Sequence, residues 1–362
     1  MSRFSKLPHD TSIRSILFYI EPSNLDTYCR ADDYLHQWCR QPKNIEYYLK
    51  LRGLSHFLID KQRGLRWSAE EGSEMLFNYF LSTGSFHDYN YELALEAAAR
   101  KGNQQIVNRV LSLHVDYNTA LAGAAEGGHH NIVNQMLDLG ATDYNRALRS
   151  AAKGGHPEIV NQMLDLGAND YNNALVAGAI KGHTEIVNQM LALGANRYDH
   201  ALWEAAAEGH QQIVDRLALD ATDYDLPLYH AAWSGHQNIV NQMLSLGATD
   251  YNRGLLGAAK GGHQNIVNQM LSLGATDYNT ALLGAVVDGH INIVNQMLSL
   301  GATDYNTALL GAVKGGNINI VNRMLFLGAD NYDDALKVAE GLERLIIIEL
   351  INDYISQKLK IN

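Results

Sequence analysis

The sequence predicts an all-α fold, a helical solenoid of about ten short repeats with a helical cap at each end. Three observations predict it. The 21 letters from Ile266 to Val286, IVNQMLSLGATDYNTALLGAV, return unchanged from Ile293 to Val313, 27 residues later. An Ile-Val pair recurs nine times, at Ile106, Ile132, Ile159, Ile186, Ile213, Ile239, Ile266, Ile293 and Ile320. Between these pairs the apolar residues follow helical spacing, and the glycines fall where helices end. A period of this length marks units that cannot bury their apolar faces alone and must stack on one another. The chain is expected to divide into an N-terminal helical segment (1–62), a repeat array (63–340) and a C-terminal capping helix (341–362).

One unit, Asp143 to Gly167, shows the elements in order. Asp143 or Asn145 suits the start of a helix, where a side-chain oxygen can accept from a free N–H. Ala147, Leu148, Ala151 and Ala152 make one apolar stripe, and Gly154-Gly155 ends it. His156 stands at the next N-cap position. Pro157 follows at the first helical position, where its missing N–H costs nothing. Ile159, Val160, Met163 and Leu164 form the second stripe, and Gly167 suits a left-handed terminator. Each unit is therefore a pair of antiparallel helices.

These letters resemble the ankyrin repeat, which reads roughly T-P-L-H-x-A-A-x-x-G-H-x-x-I-V-x-x-L-L-x-x-G-A. The stretch Thr307 to Val321 is TALLGAVKGGNINIV, and Gly-His recurs at His129, His156, His183, His210, His236, His263 and His290. The resemblance runs from about Trp67 to Leu350. It implies an ankyrin-type solenoid that binds other proteins. The departure is length, because an ankyrin unit has about 33 residues and most units here have 27. The missing residues are those of the β-hairpin finger, of which Thr-Asp-Tyr-Asn remains. The tyrosines of that tetrad, Tyr117 to Tyr332, are expected to stack along the array and cover the edge. The inner helix face is left as the surface for partners.

Along the chain, residues 1–60 read as short helices. The matching letters Leu7-Pro8, Ile16-Leu17-Phe18-Tyr19-Ile20, Leu25, Leu35 and Trp38 resemble an F-box. That resemblance implies docking on the adaptor subunit of a cullin–RING ubiquitin ligase through Leu7, Pro8, Ile16, Leu17 and Ile20. The same segment also reads as a cap shielding the first repeat, and the two readings suit different faces. An irregular unit follows from about Gly64, with Trp67 placed to plug the junction. Two steps are 26 residues long, Ile106 to Ile132 and Ile213 to Ile239. After Gly341-Leu342-Glu343 the last apolar helix reads as a cap.

At the second short step the inner-helix residues stop being small. Arg197, His200, Trp203, Glu204, Tyr229, His230 and Trp233 form the candidate partner-binding set. Aromatic residues with Arg are what anchor protein interfaces. The same side chains also read as filler for a gap opened by the shortened turn.

No enzyme is expected. The seven Gly-His histidines fall one per repeat, too far apart to share a metal at bond lengths of about 2 Å. No Gly-rich phosphate loop exists, and no catalytic, cofactor or metal site is read. The charge of −11 disfavours nucleic acid and anionic membrane. No run is long enough to insert in a membrane. Two cysteines, Cys29 and Cys39, make no disulfide framework and suit a reducing, cytoplasmic compartment. The expectation is a monomeric interaction protein that joins a client to a cullin–RING ligase, or else a scaffold that binds and blocks its target without any ubiquitin link. Its near-identical repeats and F-box-like start are similar to effectors of intracellular bacteria and to ankyrin proteins of large DNA viruses, which suggests delivery into a host cytosol.

Overall fold

A computed structural model describes residues 19–31, 37–113 and 115–361. Every regular element among them is a helix. The chain forms two compact units, residues 1–178 with 185–195 and residues 179–184 with 196–362. Within each, helices alternate as expected: a first helix such as Tyr144–Gly154 or Tyr251–Gly261, then a second such as Pro157–Asp165 or Gln264–Ser272. The core is the predicted pair of stripes. Ala147, Leu148, Ala151 and Ala152 are buried with Ile159, Val160 and Met163 in the first unit. Leu255, Ala258, Ala259, Ile266, Val267 and Met270 are buried in the second.

The Thr-Asp-Tyr-Asn tetrad shows how the array holds without hairpins. Asp277 caps its own helix by accepting from the Thr280 N–H at 3.1 Å. Two residues on, the Asn279 side-chain oxygen reaches the next repeat and accepts from the Thr303 and Asp304 N–H groups at 2.7 and 3.0 Å. Asn118, Asn145 and Asn252 do the same in their repeats. Asp199 and Asp225 take over this task where Asn is absent. The tyrosines open the helices half-buried, and among the described residues no two successive ones are in ring contact. The stacking expected of them is thus corrected: the neighbouring Asn joins the turns, because its short amide reaches the loop N–H groups directly. A second polar ladder runs along the second helices, as in Gln269 to Asn241 (2.9 Å) and Gln296 to Asn268 (2.9 Å).

At the start of the first unit, Leu25, Cys29, Cys39, Ile45, Tyr48 and Leu49 are buried. Asp26 accepts from the Ser73 hydroxyl at 2.7 Å and the Met75 N–H at 3.2 Å, at the N-terminus of the helix Glu74–Thr83. A carboxylate suits that positive helix end. Arg30 pairs with Glu74 at 2.6 Å, and Phe57 stacks on Trp67 with ring centres 4.6 Å apart. Residues 19–31 and 37–71 are therefore packed against the first helices, with Trp67 at the junction. At the other end, the helix Leu345–Ile361 buries Ile347 and Ile351, and its Tyr354 hydroxyl donates to the Leu325 carbonyl at 2.7 Å. Among the described residues no helix is long and apolar enough to cross a membrane.

Candidate functional site

The histidines come first, because they set the spacing of the inner helices. Each holds the N-cap position of a second helix, but its side chain does not cap that helix. In His129, His156, His210, His236, His263 and His290 the ring reaches back instead and donates through Nε2 to a carbonyl in the last turn of the preceding repeat. His156 meets the Glu126 carbonyl at 3.0 Å, His263 that of Trp233 at 3.0 Å and His290 that of Lys260 at 2.9 Å. Those carbonyls lack an intrahelical partner, so the bond satisfies an otherwise orphaned acceptor. The left-handed glycine before each histidine serves the next ring as well. At Gly235, with φ +82°, an added Cβ would lie 2.4 Å from the His263 ring. Asn103, Asn317 and Arg344 replace His at the array ends and bond equivalent carbonyls.

On the inner face of the second unit the seven predicted residues converge. They sit on the helices Tyr198–Glu208 and Asp225–Ser234, with Arg197 at the N-cap of the first. His200 stacks on Trp203 at 5.2 Å between ring centres, and Trp203 stacks on His230 at 4.6 Å. Tyr229 meets His230 edge-on at 5.0 Å, and Trp233 lies beside Tyr229 at 6.0 Å. Arg197 donates from Nη2 to His200 Nδ1 at 2.8 Å, which leaves the His200 proton on Nε2, 3.6 Å from a Glu204 carboxylate oxygen. Trp233 remains 44% exposed. The result is one ribbon of five rings, open to solvent.

Why the ribbon forms here follows from the neighbouring repeats. At the place of His230 most other repeats have a small residue, glycine at Gly123, Gly257, Gly284 and Gly311, and an added Cβ at Gly284 would sit 3.1 Å from the Leu256 side chain of the preceding repeat. With Glu204 and His230 in that place, the leucine-over-glycine contact is impossible, and Trp203 over His230 replaces it. The shortened turn is filled by a different residue. The Tyr224 hydroxyl bonds the Ala218 and Ala221 carbonyls, both at 3.0 Å. The rings are therefore not the filler of that gap.

Burial and the nearby Arg253 guanidinium push the His230 imidazole below its usual range. Burial raises the Glu204 carboxyl, against the opposing pull of His200. Asp199, at the edge of the ribbon, is raised by burial but more strongly lowered by the N–H groups of Thr222 and Asp223 and the Thr222 hydroxyl, so its carboxyl lies below the usual range.

Sequence reasoning missed two further members. Lys260, on the helix Tyr251–Gly261, holds its ammonium 4.9 Å from the centre of the Trp233 ring and 3.3 Å from the Tyr229 hydroxyl. Arg253 borders His230 on the same helix. Their signal was register: Trp233 stands 27 residues before Lys260, as Glu126 stands 27 before Lys153.

Of the expected adaptor-docking residues, Leu7, Pro8, Ile16 and Leu17 lie outside the described residues. Ile20 is half-buried, and its carbonyl accepts from the Tyr48 hydroxyl at 2.9 Å. Burial pushes that phenol up to about 12, so it stays a donor. Tyr19 beside it is exposed. One expectation is corrected. Cys29 and Cys39 are joined in a disulfide, with Cα atoms 6.0 Å apart. Both sulfurs are buried and neither is a free thiol, so these cysteines supply neither a nucleophile nor an argument for a reducing compartment. A cavity of about 470 Å³ lies beside them, lined by Arg30, Arg40, Glu74 and Tyr79. Two of its charged groups, Arg30 and Glu74, are paired with each other. Among the described residues no cluster of His, Cys, Asp and Glu is arranged to hold a metal.

Comparison with known proteins adds a family. The model for ankyrin repeats (3 copies) matches residues 95–174, 148–226 and 175–253. Residues 95–253, rather less than half of the chain, thus match ankyrin repeats, and the all-helical serial array is consistent with an ankyrin-type solenoid. No curated protein matches. Among solved structures it is similar to the pentatricopeptide repeat protein PPR10 from maize, at 15% identity and a TM-score of 0.35, over 96% of this chain and 63% of that one. It is also similar to PPR10 in complex with an 18-nt psaJ RNA element, at 14% identity and a TM-score of 0.30, over 96% of this chain and 68% of that one. The chain spans less than two thirds of the first structure's length.

Proposed function

We propose that this chain, an array carrying ankyrin repeats, is a non-enzymatic protein-interaction module that holds its partner on the ring ribbon of the second unit. Ankyrin repeats indicate protein binding in general. The observation that carries the choice of surface is the Trp203–His230–Trp233 group, stacked and only partly covered where no other described repeat places an aromatic cluster. Aromatic anchors with two rotatable bonds lose little entropy on binding and dominate interface energetics. Capture from a eukaryotic lysate tests it. The Trp203→Ala/Trp233→Ala double variant should lose the bound client. Arg149→Ala, on the inner face of the first unit, should keep it. Equal capture by both variants would remove the ribbon from the account.

The finer reading is a substrate receptor, with residues 1–62 docked on a cullin–RING adaptor and the client's lysines held at high effective concentration. It rests on the F-box-like letters and on the faces of the described segment: Leu25 and Tyr48 point inward while Tyr19 is 79% exposed. Calorimetry against the recombinant adaptor should give micromolar binding that is lost in Leu7→Ala/Pro8→Ala. Absence of binding leaves the alternative, a scaffold or host-directed effector that blocks its target directly.

A further inference from the structure

The inner-face cations of the two units are treated differently. In the first unit four of these cations are neutralised within the array. Lys153 reaches Glu126 at 3.0 Å, Arg146 reaches Glu96 at 3.8 Å, and Arg100 and Lys101 share Glu70 at 3.9 and 3.7 Å. Lys260 and Arg253 occupy the same two places of their repeat, 107 residues on from Lys153 and Arg146. There the partner carboxylates have been replaced. Trp233 stands where Glu126 stood, and Trp203 where Glu96 stood. Among the described residues no carboxylate is paired with Lys260 or Arg253. Lys260 instead lies over the Trp233 indole, which orients its charge without cancelling it.

We infer that the ring ribbon takes an acidic peptide segment, an extended stretch of a partner with an aromatic or large aliphatic residue flanked by carboxylates. This rests on the reading of the ribbon as the contact surface. The apolar residue would seat on Trp203 and Trp233, and the carboxylates would meet Lys260 and Arg253. The polarity is set by the site. Glu204 and Glu208 lie on the helix Tyr198–Glu208, so the acidic side of the segment points away from them, toward Tyr251–Gly261. A cationic segment is disfavoured because Lys260 already covers the indole face that would receive it. Rings with cations also suit single-stranded nucleic acid. Two uncompensated cations on a chain of net charge −11 make a poor phosphate track, and a carboxylate pair matches them better.

The test uses the full chain and short fluorescein-labelled Gly-Ser peptides with a central Phe between pairs of Glu or pairs of Lys, read by anisotropy at low salt. The Glu peptide should bind, weaken with added salt, and weaken at least about tenfold in Arg253→Glu/Lys260→Glu. Lys260→Met, which keeps the stem over the indole, should weaken it less than the reversal. The reversal variant should now prefer the Lys peptide. Overturning results are equal or tighter binding of the Lys peptide by the native chain, no binding of the Glu peptide at millimolar concentration, or tighter binding of an oligouridine that the same variants abolish. Loss of client capture in Trp203→Ala/Trp233→Ala but not in Arg253→Glu/Lys260→Glu would refute the acidic segment alone. Indifference of capture to both variants would refute the contact surface as well.

Discussion

His263 performs two tasks that can be separated. Its Nε2–H satisfies the Trp233 carbonyl, and its ring fills the space over Gly235, whose φ of +82° no β-carbon residue adopts easily. His263→Ala leaves a carbonyl without its donor and should cost about 1–3 kcal/mol. Gly235→Ala should cost a similar amount, from the left-handed backbone and from the clash with the ring. Because the clash disappears with the ring, the double variant should be less destabilised than the sum of the singles. Additive urea midpoints would contradict the shared contact. His230 gives a pH prediction. Its folded pKa lies below the usual 6.5, so the fold holds it neutral and its contribution is intact above that value. Stability is lost as pH falls from 6.5 through the folded value, since the unfolded chain takes up the proton more readily. Glu204 is shifted the other way and restores some stability further into acid. His230→Gln should flatten the step in stability that begins near pH 6.5, and an unchanged profile would show that other groups carry it.

At the scale of the helix pair, the turn tetrad does the work of a hairpin. Asn252→Ala removes the acceptor of two N–H bonds, from Thr276 and Asp277 at 2.7 and 2.9 Å, and should cost about 1–3 kcal/mol. Asn252→Asp should be nearly neutral, because Asp199 and Asp225 already play that part. Equal loss in both variants would mean that the link between turns is packing alone. Much of this element was legible in the sequence because the same letters recur at the same place, so each helix stripe, cap and terminator could be read nine times over. Tyr and the Asn or Asp that follows it could not be separated that way: their spacing is identical, and only geometry shows that the side-chain oxygen of the second makes the bond. Trp203, Tyr229, His230 and Trp233 were legible as departures from the repeat. Lys260 and Arg253 were not, since Lys and Arg are ordinary at those places, and their meaning depends on what stands one repeat earlier. Cys29 and Cys39 lie outside any repeat, so nothing in the pattern set their distance.

For the whole molecule, each end of the array is closed by side chains that differ from the repeat. Asp26 and Arg30 secure the first helices, and Tyr354 and Arg344 secure the last. Between these ends the repeats present their flanks. Of the flanks, the inner face of the second unit is the one where repeats stop being alike. The most direct measurement is photo-crosslinking, with benzoylphenylalanine placed at Tyr229 in one chain and at Leu139 in another, both exposed to a eukaryotic lysate. Leu139 lies in the first unit, where a second helix ends, and is one of a row of half-exposed leucines repeated at that place. The account predicts one discrete crosslinked protein from the Tyr229 position, diminished by Trp203→Ala and Trp233→Ala, and none from Leu139. A discrete product from Leu139 with none from Tyr229 would contradict it and move the contact to the ends of the second helices.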